Sequence, residues 1–410
     1  MSSQGSGLLP LDEALEKIRA ALKPVAGYAQ VTLAEALGRI LHEDILSPID
    51  VPGHRNSAMD GYAVAGSALP ESGEKRFRVA GTALAGAPYA GSVGPDEAVR
   101  IMTGAVVPEG TDTVIMQEKA RREGDDVYFK AGHRSGENVR HPGEDIARDT
   151  VVLSAGRRIA PSDVGLLASL GIAEVRVNRR LRVAIFSTGD ELVPLGQSLG
   201  EGEIYDSNRY TVAAMLRRMD VDVLDMGVVR DDPDAIEQAF TSASQIADVV
   251  ITSGGVSVGE ADFVKSTLDK LGEVDFWRIA MKPGKPLAFG RLGNAAFFGL
   301  PGNPVSAVAT FYQVVQPSLL HLTGSSDTGR LRVKAHTTEK LKKRPGRKDF
   351  QRGILESDAN DNLVVRSTGM QGSHVLSSVS RANCFIVLPA ESGDIEAGDE
   401  VTVEPFAAFM

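Results

Sequence analysis

The stretch Ala247–Asp262 reads ADVVITSGGVSVGEAD, and in it an apolar run, Val249-Val250-Ile251, leads into Ser253-Gly254-Gly255. An apolar run ending on glycines reads as a buried strand that stops in a tight loop. Glycine lets the backbone approach a ligand closely, and backbone N–H groups in such loops can face an anion. A carboxylate a few residues on, such as Asp262, can hold a cation against that anion, a layout suited to Mg²⁺-assisted phosphate chemistry. Strand–helix turns also use glycine for purely structural reasons, so the neighbouring sequence has to decide.

From about residue 181 the same rhythm repeats. Strands are expected at Val183–Phe186, Val221–Met226, Val249–Ile251, Pro286–Phe289 and Ala295–Gly299, with helices at 208–219, 233–246, 262–271 and 304–322. Alternating strands and helices predict a doubly wound, mostly parallel sheet, whose ligands sit at the carboxyl ends of the strands. Polar clusters follow three of these strands: Ser187-Thr188-Gly189-Asp190-Glu191, Arg230-Asp231-Asp232 and Thr252-Ser253-Gly254-Gly255. In a parallel sheet these loops share one rim, where Glu191, Asp231 and Asp262 suit a hard divalent cation held partly by substrate phosphate. Each cluster also has an ordinary reading: Asp232-Pro233 is a normal helix start, and Asp190-Glu191 can cap a turn. Lys282-Pro283-Gly284-Lys285-Pro286 offers two ammonium groups on a stiff loop, as an oxyanion site or a plain surface turn. Pro301-Gly302-Asn303-Pro304 opens a helix, whose N-terminus favours anions. A second basic cluster, Lys342-Lys343-Arg344 with Arg347-Lys348 and Arg352, reads first as a solvated loop.

The chain has no GxxxxGK[ST] and no GxGxxG after a strand, which disfavours an ordinary P-loop ATPase and the usual dinucleotide fingerprint. The lone cysteine, Cys384, excludes an internal disulfide, a CxxC pair and an iron–sulfur site, and the seven histidines are scattered. At 410 residues two to four domains are expected, and the net charge of −10 argues against nucleic-acid binding. Neither a membrane-length apolar run nor an export signal is seen, so a reducing cytoplasm is the expected compartment. Outside the α/β segment, Leu11, Leu15, Ile18 and Leu22 predict a helix over 8–24, and a second short helix is expected near Thr32–Leu41. Short β-branched runs between Gly and Pro turns predict a β domain over 45–145, with a helix at Pro161–Leu170 and a small β-barrel or sandwich over 330–410. Asp60-Gly61 reads as a hairpin turn, and Thr103 follows the strand-like run Ala98–Met102.

Taken in order, NSAMDGYAV (56–64), RIMTGA (100–105), GEDI (143–146), FSTGDEL (186–192), IYDSN (204–208), RDDP (230–233), TSGGVSVGEAD (252–262), KPGKP (282–286), GLPGNPVSA (299–307), PGRKDFQRG (345–353) and QGSH (371–374) strongly resemble the molybdopterin molybdenumtransferases of the MoeA family, and the related gephyrin E domain. The resemblance implies a multidomain α/β-plus-β protein with a central molybdenum-cofactor-biosynthesis fold and a small C-terminal β-barrel. Its domains would be 8–44 with 146–178 (elongated, linking), 45–145 (β-rich), 179–326 (molybdopterin-binding) and 327–410 (barrel). It implies a homodimer with the active site at the subunit interface. There adenylated molybdopterin and molybdate are bound, molybdenum is ligated to the dithiolene, and the adenylate is cleaved with Mg²⁺ to release the cofactor and AMP. An adenylyltransferase is the implied supplier of substrate. The motif positions carried over are Asp60, Thr103, Glu191, Asp231 and Asp262 for catalysis, with the last three as metal ligands. Asp145, Ser253, Gly254, Gly255, Lys282, Lys285, Pro301 and Pro304 are carried over for substrate binding. Two other functions stay open, adenylyl transfer to molybdopterin and a non-enzymatic scaffold. His54-Arg55 departs from the family pattern, where an aromatic residue and Asp are common, beside Asp60.

Overall fold

Successive residues of a strand point to opposite faces, and in the central sheet both faces are covered. The computed structural model describes residues 7–254, 261–327 and 329–406, with the side chains of 261–263 and 265 outside that description. The chain forms two compact units, Met1–His42 with Gly156–Ala160 and Val175–Met410, and Glu43–Ala155 with Pro161–Glu174.

In the first unit the sheet contains β1 (Arg182–Thr188), β2 (Asp222–Val229), β3 (Val249–Ser253), β4 (Gly272–Arg278), β5 (Pro286–Leu292) and β6 (Ala295–Leu300), in the order β2-β1-β3-β6-β5-β4. Strands β2, β1, β3 and β6 run parallel, and β5 and β4 turn back antiparallel at the edge. Val183, Ile185, Val249, Ile251 and Phe298 face one core, shared with Leu11 and Ile18 of helix α1 (Leu11–Ala21) and Val212 and Leu216 of α2 (Ser207–Arg217). Ala184, Phe186, Val250 and Phe297 face the other, with Ile236 and Phe240 of α3 (Pro233–Ile246) and Val264 and Leu268 of α4 (Ala261–Leu271). This two-sided burial is why the strands read as continuous apolar runs. Helix α5 (Pro304–Thr310) passes through a π-helical turn, Phe311–Val315, into α6 (Gln316–Leu322), which packs on α1. The start of α3 follows from its sequence: Asp232 accepts the Ala235 N–H at 2.9 Å and Pro233 sits in the first turn, a cap worth about 1 kcal/mol.

Val333–Thr337, Lys348–Ser357, Leu363–Ser367, Cys384–Leu388 and Glu400–Pro405 close into a five-stranded barrel, because Lys348–Ser357 pairs with both Leu363–Ser367 and Cys384–Leu388. Met281–Lys282 adds to the barrel in parallel, with Lys282 opposite Asp349, so the KPGKP loop is stitched to it.

The second unit holds a six-stranded mixed sheet, ordered Thr113–Met116, Gly61–Val64, Glu97–Ile101, Glu74–Ala83, Asp126–Lys130 and Ala120–Glu123. Tyr62, Phe77, Val127 and Phe129 fill one of its cores.

The sheet is mostly parallel with an antiparallel edge, whose strand β4 was not foreseen because α4 runs into Gly272 with no turn residue between them. Two expectations need correction. The helix expected over Thr32–Leu41 is one turn, Leu33–Ala36, held by the Thr32/Glu35 capping box and ended where Leu37 leaves the helical region. In its place the strand Tyr28–Thr32 pairs with Glu174–Asn178. Asp60-Gly61 is not a hairpin turn: Gly61 lies in a strand between Ile101 and Met116, and a side chain there would run into the Ile115 carbonyl.

Candidate functional site

The parallel register aligns Ser187 with Ser253 and Ser253 with Leu300. The segments that follow β1, β2, β3 and β6 therefore leave the sheet on one rim. There Ser187, Thr188, Glu191, Asp206, Asn208, Ser253, Gly254, Gly302, Pro304 and His374 line a cleft of about 280 Å³.

The floor of the cleft is held by an ionic chain that runs from buried Asp206 through buried Arg209 to exposed Asp225. Asp206 caps α2 by accepting the Arg209 N–H at 3.1 Å, takes the Ser187 hydroxyl at 3.1 Å and pairs with Arg209 Nε at 2.9 Å. Arg209 Nη1 also meets both Asp225 oxygens at 2.6 Å, and Asp225 accepts the Gly227 N–H at 3.0 Å. Burial works against the Arg209 charge, but the Asp225 and Asp206 carboxylates outweigh it and hold its pKa above the ordinary guanidinium value.

Above this floor, Asn208 Nδ2 donates to Ser253 Oγ at 2.8 Å and to the Gly302 carbonyl at 2.7 Å. The carbonyl can only accept, which fixes the amide orientation. One side chain thus clamps the Ser253-Gly254 turn to the Pro301–Pro304 loop. Because Ser253 Oγ accepts from Asn208, its own proton is free to point into the cleft. Thr188 adds a hydroxyl that is buried and has no hydrogen-bond partner among the described residues. Gly254 has φ +95, and a Cβ there would stand 2.6 Å from the Thr188 carbonyl. Its N–H donates to the Leu300 carbonyl at 3.3 Å rather than outward.

Of the carboxylates proposed for a cation, Glu191 lies exposed on the cleft rim. The loop carrying Asp231 is tied to the loop carrying Glu191, since the Asp231 N–H donates to Asp190 Oδ1 at 3.2 Å. Gly255 and the Asp262 side chain lie outside the described residues. Among the described residues no group of three or more His, Cys, Asp or Glu side chains stands close enough to hold a metal ion. Pro301 is buried at the end of β6, and Pro304 lines the cleft at the start of α5. The two KPGKP lysines part company: Lys282 Nζ pairs with the buried Asp349 at 3.1 Å, whereas Lys285 is half-buried with no side-chain partner among the described residues.

In the second unit, Asp60 Oδ1 accepts both the N–H and the hydroxyl of Thr103 at 2.8 Å. Those bonds, the backbone one first, hold the exposed Asp60 carboxyl below its ordinary pKa. Arg100 braces the same corner by donating to the Gly61 carbonyl at 2.9 Å and covering the Tyr62 ring. Asp145 is exposed and anchored by its backbone N–H to Val51. At the departure from the family pattern, Arg55 donates to the Thr111 carbonyl at 3.3 Å, while His54 is exposed.

Sequence reasoning did not single out Asp206, Asn208, Thr188 or His374 as site residues. Asp206 and Asn208 lie in IYDSN and His374 in QGSH, but nothing in the local pattern says that these segments meet.

Residues 9–171 match the family described as MoeA N-terminal region (domain I and II), residues 184–321 a probable molybdopterin binding domain, and residues 334–406 the MoeA C-terminal region (domain IV). The chain is 49% identical to the molybdopterin molybdenumtransferase of Haemophilus influenzae over 401 residues, covering 97% of this chain and 99% of that one. It is 36% identical to the enzyme of that name from Nostoc, covering 91% and 87% of the two chains, and 33% identical to Dictyostelium discoideum gephyrin, covering 96% of this chain and 62% of that one. A molybdopterin biosynthesis MoeA protein from Pyrococcus horikoshii superposes with a TM-score of 0.81 at 32% identity, over 97% of this chain and 99% of that one. Among the described residues no helix is long and apolar enough to cross a membrane. The chain belongs to the MoeA family, the transferases of molybdenum-cofactor biosynthesis known as molybdopterin molybdenumtransferases.

Proposed function

We propose that this protein inserts molybdenum into molybdopterin, binding adenylated molybdopterin and molybdate and releasing molybdenum cofactor and AMP. The observation that carries this reading is the cleft at the strand ends, lined by Ser253 and by Thr188, whose buried hydroxyl has no hydrogen-bond partner among the described residues. Those hydroxyls, with the start of α5 at Pro304, suit the substrate's phosphates. Asp206 and Asn208 hold the cleft's shape, so its donors are in place before substrate arrives.

The donor set fits Mg²⁺, which takes one or two carboxylates plus substrate phosphate oxygens rather than a closed protein cage. Glu191, Asp231 and Asp262 are the ligands we assign, and bound there the ion would offset charge on the phosphoanhydride. The substrate's own sulfurs suit molybdenum, so no protein thiolate is required. The state of Cys384 agrees with this, being fully buried in the barrel with its pKa pushed up to about 12 by burial. Lys285, without a carboxylate partner, is the KPGKP lysine available to molybdate. Asp60, Thr103 and Asp145 complete the site from the partner subunit of a homodimer, and we keep the four-domain division and cytoplasmic location read from the sequence.

The test mixes purified protein with adenylated molybdopterin, molybdate and Mg²⁺ and follows AMP release and metal uptake. Asp262→Ala should leave the unfolding midpoint unchanged and abolish both. Wild-type turnover by that variant would remove Asp262 from the mechanism, and no turnover by the parent protein would remove the reading itself.

A further inference from the structure

The protein carries a net charge of −10, yet one cleft of about 600 Å³ runs strongly the other way. Lys282 from the KPGKP loop and Lys342, Lys343, Arg344 and Arg347 from the barrel line it, against two carboxylates, Asp349 and Asp394. Both carboxylates are engaged: Asp349 pairs with Lys282 at 3.1 Å, and Asp394 accepts the Lys343 N–H at 2.8 Å. The buried Lys343 ammonium donates to the carbonyls of Arg344, Ala390 and Ser392 at 3.3, 3.3 and 2.9 Å. It contributes charge to the cleft but has no proton left to offer.

Three cations remain. The Lys342, Arg344 and Arg347 side chains hold neither ion pair nor hydrogen bond among the described residues. Their charge is not relieved by a carboxylate partner among the described residues. A cleft of unneutralised guanidinium and ammonium groups in an acidic protein concentrates anions. The guanidinium fork matches two oxygens of a tetrahedral anion, and an ammonium serves as a point charge beside it. The cations line a single cleft, which suits a small ion over a polyanionic chain.

We propose that this cleft is a binding site for a small, doubly charged tetrahedral oxyanion, free or as a terminal phosphate ester, held by Lys342, Arg344 and Arg347. It shares none of its lining with the strand-end cleft, and the proposal goes beyond the insertion reading without depending on it. Its place, on the barrel side of the KPGKP loop, makes it a position where such an ion is collected beside that loop.

Calorimetric titration of the full-length protein with inorganic phosphate, molybdate and AMP tests it without turnover. Saturable, salt-sensitive binding is expected for at least one probe, and Arg344→Gln with Arg347→Gln should weaken it by roughly tenfold or more, the loss expected for charge-assisted hydrogen bonds. Binding lost in the arginine variants belongs to this cleft, and any binding they retain belongs to the strand-end cleft or to Lys285. If inorganic ions bind and AMP does not, the free ion is assigned, and the reverse assigns the ester. Should the double variant fail to fold, Arg344→Gln alone carries the test, because that side chain is exposed. The proposal is overturned if no probe saturates the wild type at millimolar concentration or if the arginine variants bind as tightly as wild type. Failure of the insertion reaction in the turnover assay would leave all of these outcomes readable.

Discussion

Replacing Asn208 separates the clamp from the rest of the cleft. Its two hydrogen bonds, to Ser253 Oγ and the Gly302 carbonyl, join the turn after β3 to the turn after β6. A hydrogen bond contributes about 0.5–1.5 kcal/mol net, and this pair is partly open to solvent, so Asn208→Ala should cost about 1–2 kcal/mol. Asn208→Asp has the same shape but opposite chemistry. Its carboxylate faces the Gly302 carbonyl, an acceptor against an acceptor, and invites the Ser253 proton to turn inward, away from the cleft. We therefore expect Asn208→Asp to be less active than Asn208→Ala in AMP release, and at neutral pH less stable than wild type. The pH dependence has a definite sign. A carboxyl facing a carbonyl has its folded-state pKa raised, so the stability it contributes is present at low pH and is lost as pH rises through that folded pKa. Urea unfolding and AMP release, each followed from mildly acidic to mildly alkaline buffer, should show Asn208→Asp recovering toward wild type on the acid side, with Asn208→Ala flat. Asn208→Asp matching wild type in stability and turnover at alkaline pH would refute the clamp.

Gly254→Ala places a side chain at φ +95 and within 2.6 Å of the Thr188 carbonyl, so strain and overlap together should cost about 2–4 kcal/mol in urea unfolding; an unchanged midpoint contradicts the turn geometry. Thr103→Ala removes one of the two bonds on Asp60, and the Asp60 carboxyl should then titrate at higher pH by carbon-detected NMR, closer to an ordinary aspartate. That carboxylate favours the folded state above the unfolded-state pKa and loses its effect as pH falls through the depressed folded value, so the variant should soften this acid dependence. Cys384, fully buried with a thiol pKa near 12, should stay silent to a disulfide-exchange reagent at mildly alkaline pH until the protein is unfolded; rapid native labelling would show that the barrel opens.

Much of the central domain was legible because its signals are local. Val249-Val250-Ile251 is apolar at every position since both faces of β3 are covered, and Asp232-Pro233 marks a helix start by its own side-chain chemistry. Alternation with helices then implied a parallel sheet and one functional rim. The same local reading failed at Asp60-Gly61, a dipeptide whose common role is a turn. Here the close approach of the Ile115 backbone, more than fifty residues away, makes the glycine part of a strand. It left Lys342–Arg347 open, because a run of cations on its own cannot be told from a solvated loop.

By itself the sequence determined most strands and helices of the α/β core, though not β4, as well as the family and the residue types available for phosphate and oxyanion chemistry. Periodicity, caps and ordered motifs are properties of neighbours along the chain. Tertiary structure alone decided that Asn208 bridges Ser253 and Gly302, that His374 from the C-terminal region borders the same cleft, and that Lys282 faces Asp349 and the barrel's arginines while Lys285 does not. Those meetings depend on strand register and on the barrel closing against the KPGKP loop, and a distance in space between residues far apart in sequence leaves no trace in the spacing of either one.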